Sequence, residues 1–356
     1  MWKAARLVAA RLVAALIVAT APISAFAARP AAVRTLPALG LREVTWTDET
    51  RPIKASMGFA GSPTRRLDVK VWFPAATTGG QVPDGGKRPL VIYSHGTFDR
   101  ADNAMHLVRE LVGAGYVVAA PDYPLTSRAA WTKVRGADIS DVANQVKDLR
   151  FLIDRLLADP VLGPAIDAER IGITGHSLGG VTSYFTLYGG RLRDPRVKAA
   201  ALIAPGDPVQ TALAGDMGLW GTQHAAVSVP VLFLTGEKDV FARTTGRPYA
   251  AFSRVEGPKY QVMVRHGVHV WFTDNDDPAT GNKNPDCLFF ERNLPGVNMP
   301  GCEERVPLIE PEHQRAIARA ALREFFDGYL KGDKTALARL RMMGAQDKAV
   351  DVRFEQ

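Results

Sequence analysis

Cysteine is nearly absent from this chain, with Cys287 and Cys302 the two in 356 residues. That excludes a disulfide-dense scaffold, and without His/Cys clustering around them the pair argues against a structural zinc site. Long apolar runs are scarce too. The run through Leu12, Val13, Leu16, Ile17 and Val18 is too short for a membrane span, and no later stretch is long enough. Nor is there a surplus of one charge sign that would suit a nucleic-acid surface. The formal charge of +7 includes Lys3, Arg6 and Arg11, and discounting these leaves about +4. Internal repeats and long low-complexity linkers are also missing.

What remains is an ordinary globular composition, 46% apolar and 23% charged, which supplies a full core. The N-terminus carries basic residues, then the short apolar run, then Ala25-Phe26-Ala27. This order predicts a signal peptide over 1–27, removed after Ala27, and an exported mature chain, periplasmic or secreted. In such an oxidising compartment Cys287 and Cys302 are expected to pair. Their bond would pin a Pro/Gly/Asn-rich loop segment, 274–310, for about 3 kcal/mol in the chain-entropy model.

Hydrophobic patterning predicts one domain over 28–356. Arg42 to Asp48 and Leu67 to Phe73 alternate apolar and polar residues, as an outer antiparallel pair would. Continuous apolar runs then follow at Pro89–Tyr93, Tyr116–Ala120, Arg170–Thr174, Lys198–Ile203, Val229–Thr235 and Tyr260–Val264. Such runs suit strands buried on both faces, so the fold class is α/β, with a mostly parallel central sheet flanked by helices on both faces. A helix over Asp138–Leu157 carries Ile139, Val142, Val146, Leu149, Ile153 and Leu156 on one stripe. A second, after Pro311, carries Ile317, Ala321, Leu322, Phe325, Phe326 and Tyr329.

The sharpest chemical signal is Ile171-Gly172-Ile173-Thr174-Gly175-His176-Ser177-Leu178-Gly179-Gly180. A strand runs into Gly-x-Ser-x-Gly and then a helix-like run, the order of a nucleophile elbow that lifts Ser177 to the carboxyl end of the strand. A serine hydroxyl needs a base to accept its proton, and the base needs an acid to hold its tautomer. Asp239 follows the strand ending at Thr235, with Glu237 and Asp207 as rival acids. His269 follows the last core strand, with His266 as its rival. The oxyanion amides are expected from Leu178, next to the nucleophile, and from Thr97 in the loop Ser94-His95-Gly96-Thr97-Phe98-Asp99, with Phe98 in reserve. Phe98, His176, Trp220 and Trp271 are candidates for a substrate pocket, and the segment Gly206 to Ser228 for an acyl wall or small cap.

With Ser94-His95-Gly96, the elbow, Gly236-x-x-Asp239 and His269 in order, the chain resembles the α/β-hydrolase superfamily. More narrowly it is similar to exported bacterial relatives of platelet-activating-factor acetylhydrolase, a group often labelled predicted dienelactone hydrolases. The residues that carry this are Arg66–Pro74, Pro121-Asp122-Tyr123-Pro124, and Arg135 with Asp138–Val142. The resemblance implies an α/β-hydrolase fold and a serine esterase using Ser177, Asp239 and His269, with Thr97 and Leu178 as oxyanion amides. It calls for no metal and no organic cofactor. The expected partner is a small-molecule or lipid ester, with no nucleic acid and no transmembrane segment in the mature chain. The rival readings are a cutinase-like polyester hydrolase, a serine peptidase and a catalytically inactive binding module. The acidic stretch Asp274-Asn275-Asp276-Asp277 does not match a calcium-loop spacing and is expected to be a solvated turn.

Overall fold

A nine-stranded sheet, in the order β1-β2-β4-β3-β5-β6-β7-β8-β9, organises the described residues. The strands are β1 (Ala38–Asp48), β2 (Arg65–Ala75), β3 (Arg88–Ser94), β4 (Val117–Asp122), β5 (Ile166–His176), β6 (Val197–Ile203), β7 (Val231–Gly236), β8 (Lys259–Val264) and β9 (Val350–Glu355). From β4 through β8 every neighbouring pair is parallel. β1 and β2 add an antiparallel pair at one edge, and β9 closes the other edge against β8. This computed structural model describes residues 38–82, 86–131, 137–210, 227–244, 250–293, 295–296 and 299–356. All of them lie in one compact unit, Leu36–Gln356. The expected signal peptide over 1–27, Arg135 and Trp220 lie outside the described residues, as does most of the segment Gly206 to Ser228.

Alternation along the strands sends apolar residues to both faces of the sheet. In β3, Leu90 and Ile92 join a core with α2 (Val142–Ala158) and α3 (Leu178–Tyr188). Val91 and Tyr93 join the opposite core with α1 (Met105–Gly113), α5 (Pro311–Lys331) and α6 (Lys334–Gln346). Of the stripe expected on the helix before Leu157, Val142, Val146, Leu149, Ile153 and Leu156 are all at most 1% exposed, while Ile139 lies half-buried in the single turn Ile139–Asp141 before it.

Three elements depart from the sequence expectation. Part of the supposed loop 274–310 is a helix, α4 (Pro285–Asn293). Its start was written in the chain, because Asn284 accepts from the Asp286 N–H at 2.9 Å as an N-cap, and Pro285 follows at the position where its missing donor costs nothing. α6 and β9 were also not anticipated. Gly332 ends α5 with a φ of 75°, and the Asp333 carboxylate caps the next helix through Thr335 and Ala336 N–H. Among the described residues no helix is long and apolar enough to cross a membrane.

Candidate active site

Ser177 stands where β5 meets α3, with φ 54° and ψ −119°. Its N–H donates to Ile203 O at 2.9 Å, which ties the turn to β6. The flanking glycines are sterically required. A Cβ on Gly175 would lie 2.3 Å from Gly179 O, and one on Gly179 would lie 2.0 Å from Ser94 O. The turn therefore packs backbone against backbone and leaves Ser177 as the side chain that can face outward.

Asp239 follows β7 and His269 follows β8, and the sheet brings the two loops side by side. The His269 Nδ1–H donates to Asp239 Oδ2 at 2.9 Å, with both side chains at most 4% exposed. The second carboxylate oxygen of Asp239 accepts from Ala242 N–H at 3.0 Å. Burial works against the His269 cation, but the charge and hydrogen bond of Asp239 outweigh it and raise the pKa above its ordinary value. The Phe241 ring stacks on the same imidazole. His266, Glu237 and Asp207 lie elsewhere. His266 is half exposed, Glu237 accepts from His266 N–H and pairs with Lys238, and Asp207 is held by Arg254 at 2.7 and 2.9 Å.

Ser177 and His269 line one cavity of about 600 Å³, together with Gly96, Thr97, Phe98 and His176. Phe241 and, from α4, Phe289, Arg292 and Asn293 also line it. The disulfide between Cys287 and Cys302 is formed and anchors that helix. Trp271 does not reach the cavity, contrary to expectation. Its ring is buried with Val268 and Val270, and its Nε1–H donates to Asp277 O.

The loop after β3 is held by His95. Burial pushes this imidazole's pKa down and so keeps it neutral. Its Nε2 accepts from Tyr123 N–H at 3.1 Å, which leaves the proton on Nδ1 to donate to Gly96 O at 2.7 Å. Two residues on, the Phe98 N–H is committed to Thr126 O at 2.8 Å. That engagement removes Phe98 as an oxyanion donor and favours the Thr97 amide. His176, inside the elbow, donates Nε2–H to His269 O at 3.1 Å, and burial followed by the charge of His269 keeps it neutral.

The acidic stretch is taken up by neighbours. Asp274 accepts from Met105 and His106 N–H at the start of α1, Asp276 pairs with Arg315, and Asp277 pairs with Arg292. Asp99 is a site residue that sequence reasoning passed over. It lines the cavity, its carboxyl pushed up to about 7 by desolvation and held by Asn103 Nδ2 at 2.6 Å. Its carboxylate also accepts from Arg100 N–H at 2.9 Å, while its carbonyl accepts from Arg128 N–H at 2.6 Å, a contact between distant segments.

No family model matches the chain. Lipase 1 of Moraxella sp. (strain TA144) is 28% identical over 133 residues, 36% of this chain. The match spans about a third of that protein, 35% of its length. Among solved structures, a ferulic acid esterase from Streptomyces cinnamoneus superposes with a TM-score of 0.63 at 23% identity, covering 92% of this chain and 98% of the other. The chain has the α/β-hydrolase fold.

Proposed function

We propose that this chain is an exported serine carboxylic-ester hydrolase. The observation that carries the reading is the buried His269–Asp239 hydrogen bond at 2.9 Å, opening on the cavity that also holds Ser177 at its strained turn. The names of the two relatives, a lipase and a ferulic acid esterase, support an ester as substrate. The finer likeness to platelet-activating-factor acetylhydrolase relatives rests on the sequence motifs alone.

In this mechanism His269 Nε2 takes the proton of Ser177 Oγ as that oxygen attacks the ester carbonyl. Asp239 keeps the imidazole proton on Nδ1 and stabilises the imidazolium that forms. The Leu178 and Thr97 N–H groups donate to the oxyanion, with Leu178 at the N-terminus of α3, where the helix dipole also favours negative charge. The alcohol leaves with the proton from His269. Water then gives a proton to His269 as its oxygen attacks the acyl carbonyl, and Ser177 Oγ leaves with that proton, releasing the acid. The bounded cavity suits short or medium acyl esters better than an open lipid surface does. The disulfide fits export into an oxidising compartment.

The test is hydrolysis of p-nitrophenyl esters from acetate to palmitate, with Ser177→Ala alongside. Turnover lost in the variant by several orders of magnitude is expected, with the optimum at short chains. Equal activity in a folded Ser177→Ala protein would end this reading. Cleavage of a matched amide in preference to the ester would favour a peptidase.

A further inference from the structure

Asp286, outside the three residues assigned above, is fully buried at the N-terminus of α4 and faces both catalytic loops. Its Oδ2 accepts from His269 N–H at 3.0 Å and from Val240 N–H at 3.1 Å, and its Oδ1 accepts from Val270 N–H at 3.0 Å. One carboxylate thus holds the backbone of the base itself and the backbone of the residue after the acid. Its neighbour completes the grip: Asn284 Nδ2–H donates to Lys238 O at 2.7 Å, on the other side of Asp239. Asp239 is therefore bracketed in sequence by two contacts to the same short segment, and His269 hangs from the same carboxylate.

We propose that Asp286 is a positioning residue that sets the distance and angle between Asp239 and His269, and that Asn284 assists it. The inference rests on the serine-hydrolase reading above. Acid and base come from loops after different strands, which Lys238 N–H to Gly267 O at 2.7 Å and His266 N–H to Glu237 at 2.8 Å join on one side, and Asp286 adds the contacts at His269 and Val240 themselves. A carboxylate is suited to the task, since it has enough lone pairs to accept three N–H groups at once. The residue is buried and near Asp239, an arrangement that costs ionisation and is tolerated because three donors compensate it. Burial first, and the charge of Asp239 second, push its carboxyl up to about 6. Cys287 follows directly, so the disulfide secures the helix turn from which Asp286 reaches the loops.

Asp286→Asn is the decisive variant, because it keeps the shape while replacing one acceptor oxygen with a donor that meets backbone N–H. The expected result is a kcat on p-nitrophenyl acetate lower by about 10- to 100-fold with KM little changed, as for a sub-ångström misplacement of reacting groups. The acid limb of kcat/KM should also move to lower pH, since Asp286 is one of the carboxylates, with Asp239 and Asp99, whose charge raises the His269 pKa. A residue that merely stabilised the fold would leave that limb in place. Asn284→Ala should give a smaller fall in kcat. Wild-type kcat and an unmoved acid limb in Asp286→Asn would overturn the proposal. If Asp286→Asn does not fold, Asn284→Ala decides, and full activity there would overturn it. A readout independent of turnover separates this idea from the proposed activity: the low-field proton resonance of His269 Nδ1. If the wild type hydrolyses no ester, the reading of function fails. A resonance shifted or lost in the Asp286 variant still supports the positioning role, and an unchanged one refutes it.

Discussion

The Phe241 ring lies against the face of the His269 imidazole, 4.1 Å between centroids and 24° between planes. Phe241 is two residues beyond Asp239, so one short stretch of chain supplies both the carboxylate at the edge of the imidazole and the aromatic cover on its face. The stack limits ring tilt and, in the proposed mechanism, favours the imidazolium form of His269. Aromatic pairs of this kind contribute about 0.5–1.5 kcal/mol. Phe241→Ala should therefore lower kcat/KM for a short p-nitrophenyl ester by roughly three- to tenfold. An unchanged value would make the stack incidental.

Backbone strain at Ser177 separates two substitutions that both remove the proposed nucleophile. With φ at 54°, the turn holds a residue with a side chain where glycine is at ease. Ser177→Gly should raise stability by up to about 1–2 kcal/mol, whereas Ser177→Ala keeps the strain and should not. Urea unfolding of both variants reads the difference. A glycine variant no more stable than the alanine one would show that the turn is unstrained.

The raised pKa of His269 sets the direction of two pH effects. In the proposed mechanism only the neutral ring can take the Ser177 proton, so activity should fall as pH drops, with a midpoint above the ordinary value of 6.5. Stability runs the opposite way. The contribution of the protonated ring is complete below 6.5 and is lost as pH rises through the folded-state value. Asp239→Asn should pull the activity midpoint down and cost about 10⁴ in kcat, as loss of the orienting acid does elsewhere. A wild-type kcat/KM profile with its acid limb at or below 6.5 would contradict the assignment of His269 as base.

Away from the site, Arg65 of β2 is wholly buried between two carboxylates that are themselves buried. Its Nε–H donates to both Asp148 oxygens at 2.7 and 2.9 Å, and its Nη2–H to Asp141 at 2.6 Å. Replacing it with Met removes the cation and leaves the acids facing one another. The expected loss is about 3–5 kcal/mol, measured by urea denaturation. A loss under about 1 kcal/mol would mean that the acids are compensated without it, Arg51 already pairing with Asp148 at 2.8 Å.

Local pattern was legible where one short stretch of chain carries all the information. The parallel strands, the α2 stripe and the elbow fall where apolar runs and Gly-x-Ser-x-Gly predict them, because strand burial and glycine packing are set by immediate neighbours. The start of α4 was equally local, in Asn284 and Pro285, but the surrounding Pro and Gly masked it. The alternation in Val350–Glu355 could also have been read as a strand, although its place at the sheet edge could not.

Other features depend on residues far apart in the chain. Asp239, Glu237 and Asp207 are all carboxylates near strand ends, and their spacing alone ranks them without separating them. The turn after Gly236 lays Asp239 against His269, while Arg254 claims Asp207 and His266 N–H claims Glu237. Trp271 sits two residues from the base, yet the single turn of helix at Val270–Phe272 rotates its ring into the core. Asp286 owes its setting to backbone from other loops. The sequence by itself determined the chemistry available and the order in which it is delivered, since strand, turn and elbow are short-range. The tertiary structure decided which carboxylate meets His269 and what holds the pair in register, since those contacts exist only once β7, β8 and α4 are packed together.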